Sequence, residues 1–199
     1  MTNPPAVILA GGLATRMGGG DKCLLRVGDR TLLSRIIARL RPQAGPLALN
    51  ANGDPARFAA YTLPVLPDGI EGYAGPLAGI LAGMDWAAEL GASHILSVAG
   101  DTPFFPADLA ARLRASGDFA LAASHDEEGI LRRHPTFGLW PVALRDDLRA
   151  ALQDGLRKIV LWTDCHGAVT VPFPQGAQGH DPFFNINTPE DIARAGAML

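Results

Sequence analysis

Apolar positions along the chain come in short blocks whose period keeps changing. Residues 6–10 (Ala-Val-Ile-Leu-Ala) form an unbroken apolar run between Pro5 and Gly11, the pattern of a strand buried on both faces. Leu32, Leu33, Ile36, Ile37 and Leu40 then recur at helical spacing, and Pro42 ends that helix. Residues 46–50 and 64–66 read as strands. Leu77, Ile80, Leu81, Met84 and Ala88 predict a helix over 76–90, with Pro76 in its first turn and Gly91 at its stop. A strand over 94–99, a helix over 106–115 and a strand over 119–123 follow. Beyond that the pattern loosens. Residues 136–140 read as a strand, 142–152 as a helix, 156–163 as a helix or a strand, and 169–171 and 183–186 as strands. Thr188-Pro189-Glu190-Asp191 is a helix start, with a capping hydroxyl, a proline and acids in the first turn.

Strand and helix thus alternate through most of the chain. That predicts an α/β fold, a Rossmann-like three-layer sandwich whose mostly parallel sheet carries helices on both faces. No repeat, linker or low-complexity tract divides the 199 residues, so a single domain over 1–199 is expected. Two halves, of about 1–110 and about 111–199, are expected within it. With 48% apolar and 19% charged residues the chain can bury a core. The net charge of −3 and the lack of a Lys/Arg run argue against nucleic acid as a partner. No apolar segment reaches the ~20 residues that span a bilayer. The N-terminus has no signal-peptide pattern, and the two cysteines, Cys23 and Cys165, form no metal or redox pair. A cytoplasmic monomer is expected.

The chemistry concentrates after the first strand. Gly11, Gly12 and the run Gly18-Gly19-Gly20 surround Arg16 and lead to Lys22. In an open α/β sheet this loop sits outside the carboxyl end of a strand, where ligands bind. Neither G-x-G-x-x-G nor G-x-x-x-x-G-K-[ST] is present. The ingredients still suit a polyphosphate: glycines let backbone N–H groups approach an anion, and Arg16 and Lys22 supply charge-assisted donors. Asp101 ends the strand over 94–99, and a carboxylate beside phosphates calls for a cation between them, with Mg²⁺ the natural choice. Asp68 closes the short strand over 64–66. Each feature also has a plain reading: a glycine loop after an edge strand, and two turn aspartates. The histidines lack zinc-ligand spacing. Cys23 follows Lys22, a setting that can lower a thiol pKa, but it is read as a bystander. Gly79 and Gly83, one helical turn apart, allow either close packing or approach of a ligand.

Taken in order, Leu9-Ala10-Gly11-Gly12, Arg16-Met17-Gly18, Asp21-Lys22, Leu49-Asn50-Ala51-Asn52, Asp68, Gly75-Pro76-Leu77-Ala78-Gly79, Asp101-Thr102-Pro103, His134-Pro135-Thr136 and Asn185-Ile186-Asn187-Thr188-Pro189-Glu190-Asp191 resemble the molybdenum cofactor guanylyltransferases. The set covers nearly the whole chain. The run Gly18-Gly19-Gly20 departs from the family pattern, which has a larger residue at one of these places. The resemblance implies transfer of GMP from GTP to the terminal phosphate of molybdopterin, with release of pyrophosphate. It implies Leu9, Ala10, Gly11 and Gly12 as the nucleotide loop, Lys22 on phosphate, Asn50 and Asp68 on the nucleotide, Asp101 on Mg²⁺, and Asn185 and Asn187 near the acceptor. It also implies cofactor-handover proteins as further partners. Lys22, Arg16 and Asp101 would carry the catalysis. Asp68 can be read as a guanine contact or a ribose contact. Two rivals are a cytidylyltransferase for the same acceptor and a non-catalytic nucleotide-binding module on the same fold.

Overall fold

The computed structural model describes residues 3–11, 20–70, 75–176 and 179–199. Among these, seven strands form one sheet in the order β5-β4-β1-β6-β8-β7-β9, flanked by six α-helices. The strands are β1 (Ala6–Leu9), β4 (Leu47–Asn50), β5 (Val65–Leu66), β6 (His94–Ala99), β7 (Ala120–His125), β8 (Leu131–Pro141) and β9 (Val169–Phe173). Only β8 runs against the others; it pairs antiparallel with both β6 and β7, while β1, β4, β5 and β6 are parallel and β9 is parallel to β7. The expected mostly parallel sheet with helices on both faces is therefore what forms.

Side-chain alternation along the strands feeds two cores. Ala6 and Ile8 of β1 point into one, with Leu33, Ile36 and Ile37 of α1 (Leu32–Leu40) and Leu109 and Leu113 of α3 (Leu109–Ser116). Val7 points into the other, with Ile80, Leu81 and Met84 of α2 (Pro76–Glu89), Leu148 and Leu152 of α4 (Arg145–Gln153), and Trp162 of α5 (Ile159–Cys165). Trp140 and Trp162 are thus core residues. A satellite cluster joins Val27 and Leu32 to Ile186 and to Ala195 of α6 (Pro189–Ala197). It seats a small hairpin, β2 (Arg26–Val27) and β3 (Arg30–Thr31), beside the final helix.

Helix α2 lies close against the sheet because two of its positions carry no side chain. A Cβ at Gly83 would come within 2.7 Å of the Val7 side chain, and one at Gly79 within 2.0 Å of the Asn50 amide oxygen. Close packing is the structural use of both glycines.

Three expectations change. The strand predicted over 136–140 is longer and passes through Pro135. Its pairing jumps from Leu121 opposite Gly138 to Ala122 opposite His134, so residues 135–137 bulge out and the proline needs no ladder partner. Residues 183–186 are not a strand: Phe183 and Ile186 are buried, but the amide of Ile186 donates to the Asp101 carbonyl (3.0 Å) instead of to a neighbouring strand. Residues 156–163, left open between helix and strand, supply α5.

Candidate active site

The parallel strands β1, β4 and β6 end together, at Leu9, Asn50 and Ala99. The chain winds from β1 outward to β5 and then returns to place β6 on the other side of β1. Such a reversal opens a crevice at the carboxyl ends. A cavity of about 400 Å³ lies there, lined by Leu9, Ala10, Gly11, Lys22, Asn50, Asp68, Asp101 and Asn185, with Asn52, Pro76 and Thr136 also on its wall. The neighbouring strand ends approach closely, since the amide of Gly100 donates to the Leu9 carbonyl (3.0 Å) and a Cβ at Gly100 would sit 2.7 Å from that oxygen. A larger hollow of about 720 Å³ opens at the opposite end, beside Asn3, His94 and Asp118, and holds none of the predicted site residues.

One wall is built around Lys22, which opens a 3-10 turn over Lys22–Leu24 and is buried. Its ammonium donates to Asp101 Oδ2 (2.6 Å), to Asn185 Oδ1 (3.3 Å) and to Asn187 Oδ1. A lysine has three N–H donors, and here all three are used on oxygens from two distant segments. Both segments are themselves fixed. Asp101 also accepts from the Thr102 hydroxyl (3.2 Å). The amides of Asn187 and Thr188 donate to Asp191 Oδ2 (2.8 and 2.9 Å), while the Thr188 hydroxyl caps the amide of Asp191. The helix start read in the sequence is therefore the clamp that presents Asn187.

The opposite wall carries Asn50 and Asp68. The Asn50 amide donates to the Leu66 carbonyl (3.1 Å) and to Asp68 Oδ1 (2.9 Å). Asn52 donates to the other oxygen, Asp68 Oδ2 (2.8 Å), and accepts from the Asp68 amide (2.8 Å). The carboxylate is thus held at both oxygens, each keeping lone pairs for a further donor. Asn52 belongs to the motif Leu49-Asn50-Ala51-Asn52 that carries the family resemblance, but only the folded chain shows it clasping Asp68.

Of the predicted site residues, Leu9, Ala10, Gly11, Lys22, Asn50, Asp68, Asp101 and Asn185 line one cavity, and Asn187 reaches it through Lys22. Gly12 and Arg16 lie outside the described residues, as do Gly18 and Gly19. Cys23 is a bystander, as expected, and its shift runs upward, opposite to what its neighbour Lys22 would favour. Burial, reinforced by the charge of Asp21, pushes its thiol up to about 12 and leaves it inert rather than activated. Asp181 is spent on the Ser124 hydroxyl (2.8 Å) and the Phe183 amide (3.0 Å). Among the described residues no three His, Cys, Asp or Glu side chains gather as a metal site, and no helix is long and apolar enough to cross a membrane.

Known proteins share this arrangement of sequence and fold. Residues 6–169 match the MobA-like NTP transferase domain. A molybdenum cofactor guanylyltransferase from Bradyrhizobium sp. is 54% identical over 98% of this chain and 92% of its own length. Another, from Cereibacter sphaeroides, is 47% identical over 97% and 95%. In structure, the chain resembles the molybdopterin-guanine dinucleotide biosynthesis protein A of Archaeoglobus fulgidus (TM-score 0.75, 21% identity, 98% and 97% covered). It also resembles 2-C-methyl-D-erythritol 4-phosphate cytidylyltransferase of Thermus thermophilus (TM-score 0.71, 20% identity, 99% and 98% covered). With a domain match over most of its length and relatives at about half identity from end to end, the chain belongs to the MobA-like NTP transferases and, within them, to the molybdenum cofactor guanylyltransferase family.

Proposed function

We propose that the protein transfers GMP from GTP to the terminal phosphate of molybdopterin and releases pyrophosphate. The observation that carries this reading is the convergence of Lys22, Asp101, Asn185 and Asn187 on one wall of the crevice, facing Asp68 on the other. A triphosphate needs a cation at one end of its cleft and a base-reading group at the other, and these two walls supply them.

The reaction asks little of acid–base groups. A phosphate monoester has a second pKa near ~6 and is already a nucleophile at neutral pH. Its oxygen forms a bond to the α-phosphorus of GTP while the α–β bridging bond breaks, and the electron pair leaves with pyrophosphate. The protein's task is to bring two anions into line and offset their charge. Lys22 suits that role as a fixed positive charge beside the cavity: its three donors are spent on protein oxygens, so it acts on the phosphates by charge and not by a free N–H. Asp68 suits guanine, whose N1–H and N2–H₂ present two donors to a carboxylate fixed at both oxygens.

Lys22 takes Asp101 Oδ2, whereas Oδ1 accepts only from the Thr102 hydroxyl and keeps a lone pair, and a hard carboxylate oxygen of this kind fits Mg²⁺. Asp101 would hold the ion, which when bound neutralises phosphate charge and favours departure of pyrophosphate. A cytoplasmic setting, and handover of the product to a further protein, belong to the same proposal.

The test is pyrophosphate release from GTP plus molybdopterin, with CTP as the competing donor. Asp101→Ala should abolish magnesium-dependent turnover, and Lys22→Ala should weaken GTP binding. Turnover in the Asp101 variant equal to that of the parent would remove Asp101 from the reaction.

A further inference from the structure

A side chain outside the cavity ties its two walls together. Arg57 lies on a 3-10 helix over Pro55–Tyr61. Its Nε pairs with Asp21 (2.7 Å), next to Lys22 in the chain, and the pair is largely buried, with side-chain exposures of 27% and 13%. One terminal nitrogen donates to the Asn52 carbonyl (2.6 Å), and the other donates to the Asp54 carbonyl. The guanidinium lies over the Phe58 ring, 4.6 Å from its centroid, and Phe58 is 1% exposed. Every edge of the planar fork is therefore engaged, a geometry that lysine does not reproduce.

The consequence runs through Asn52. That residue is exposed, sits in a loop followed by Gly53 at φ +82°, and has no burial to hold it. Its side chain nevertheless makes both halves of the clasp on Asp68. Arg57 fixes its backbone, and Asp21 fixes Arg57.

We infer that Arg57 is a positioning residue for donor-base selectivity, acting through Asn52 to hold the Asp68 carboxylate and through Asp21 to hold it in register with Lys22. The inference rests on the reading of Asp68 as the guanine-contacting group. Without Arg57 the loop over 52–54 loses its anchor, Asp68 Oδ2 loses its donor, and the carboxylate can rotate away from a two-donor base edge.

The experiment compares GTP with ITP, which lacks only the 2-amino group, by measuring Kd for each with the full-length protein. Arg57→Ala and Asn52→Ala should each lower the GTP/ITP preference by about threefold to tenfold, the worth of one hydrogen bond. Asp68→Asn should remove the preference. A purely structural role would lower thermal stability and weaken both nucleotides alike, leaving the ratio intact. If Asp68→Asn removes the preference and Arg57→Ala does not change it, the positioning role is overturned and the reading of Asp68 stands. If Asp68→Asn leaves the preference unchanged, both are overturned. Arg57→Lys, which can still face Asp21 but cannot also fork to the Asn52 carbonyl, serves if the alanine variant does not fold; it too should lower the ratio.

Discussion

Replacing Gly79 by alanine tests whether helix packing sets the geometry of the wall that carries Asn50 and Asp68. A Cβ at this position would stand 2.0 Å from Asn50 Oδ1, 2.6 Å from Asn50 Cγ and 2.9 Å from the Leu9 side chain. Asn50 must move, and it is only 6% exposed, so water does not readily replace what it loses. Its bonds to the Leu66 carbonyl and to Asp68 break together. Each is worth about 1 kcal/mol net, and a buried donor or acceptor left unpaired costs about 1–3 kcal/mol. Against this, glycine to alanine within a helix gains about 1 kcal/mol. The balance is a loss of roughly 2–4 kcal/mol, at least about 4–8 °C in Tm for a chain of this size. Gly196 in α6 supplies the control: nothing lies within 4 Å of a Cβ there, so Gly196→Ala should be stabilising. Thermal melting without nucleotide reads the first effect, and GTP titration reads the loss of a fixed Asp68. A Gly79→Ala protein that melts like the Gly196→Ala protein and binds GTP normally would refute the packing argument.

Three further outcomes are expected. With its thiol pushed up to about 12 from 9.0, Cys23 should resist alkylation at pH 8 while the exposed Cys165 reacts, giving one labelled thiol in the native protein and two in denaturant; the stability that this buried neutral thiol contributes is constant below about pH 9 and declines as pH rises toward 12. His134 has its pKa lowered by burial, opposed by the charge of Asp181, so the unfolded chain takes up a proton below about 6.5 that the native state does not. Stability should therefore fall as pH drops through that range, and His134→Gln should flatten this part of the pH dependence of the urea midpoint; an unchanged slope would contradict it. Thr62 is a β-branched residue at φ +52°. The left-handed conformation costs about 1–2 kcal/mol and glycine's extra unfolded-state freedom about 0.4–1 kcal/mol, so Thr62→Gly should raise Tm by about 1–4 °C; a lower Tm would count against strain at this position.

Local signals carried the reading of the fold, and it stopped where structure depends on distant partners. The periodicity of Leu32 to Leu40 belongs to the helix that it describes. Pro135, by contrast, argues against a strand unless a bulge removes its ladder partner, and that bulge exists only once β7 is alongside. Residues 183–186 show the converse: apolar residues there reflect burial against Phe137, Phe173 and Val27, not strand pairing. The direction of the Cys23 shift has the same origin. Its neighbour Lys22 is adjacent in sequence, but the desolvation that dominates its thiol comes from packing. Arg57 carried no local signal at all, since an arginine on a short exposed turn looks like any solvated cation.

The division of labour at the crevice follows from topology. The sheet places the ends of β1, β4 and β6 together whichever nucleotide is used, and a cytidylyltransferase shares this fold at a TM-score of 0.71. Architecture alone therefore does not choose the base. On the proposed reading the choice lies with Asn50 at the end of β4 and with Asn52 and Asp68 beyond it: Asn50 and Asn52 each donate to one Asp68 carboxylate oxygen, and the Asp68 amide returns a bond to Asn52. The Lys22 wall is assembled differently, from Lys22 and from residues 79, 163 and 165 positions away in sequence. Folding is what brings these oxygens to the ammonium. On the proposed reading, a chain that misplaced the loop before α6 would keep the Asp68 clasp and lose the oxygens around Lys22, so base selectivity and turnover should be separable by mutation.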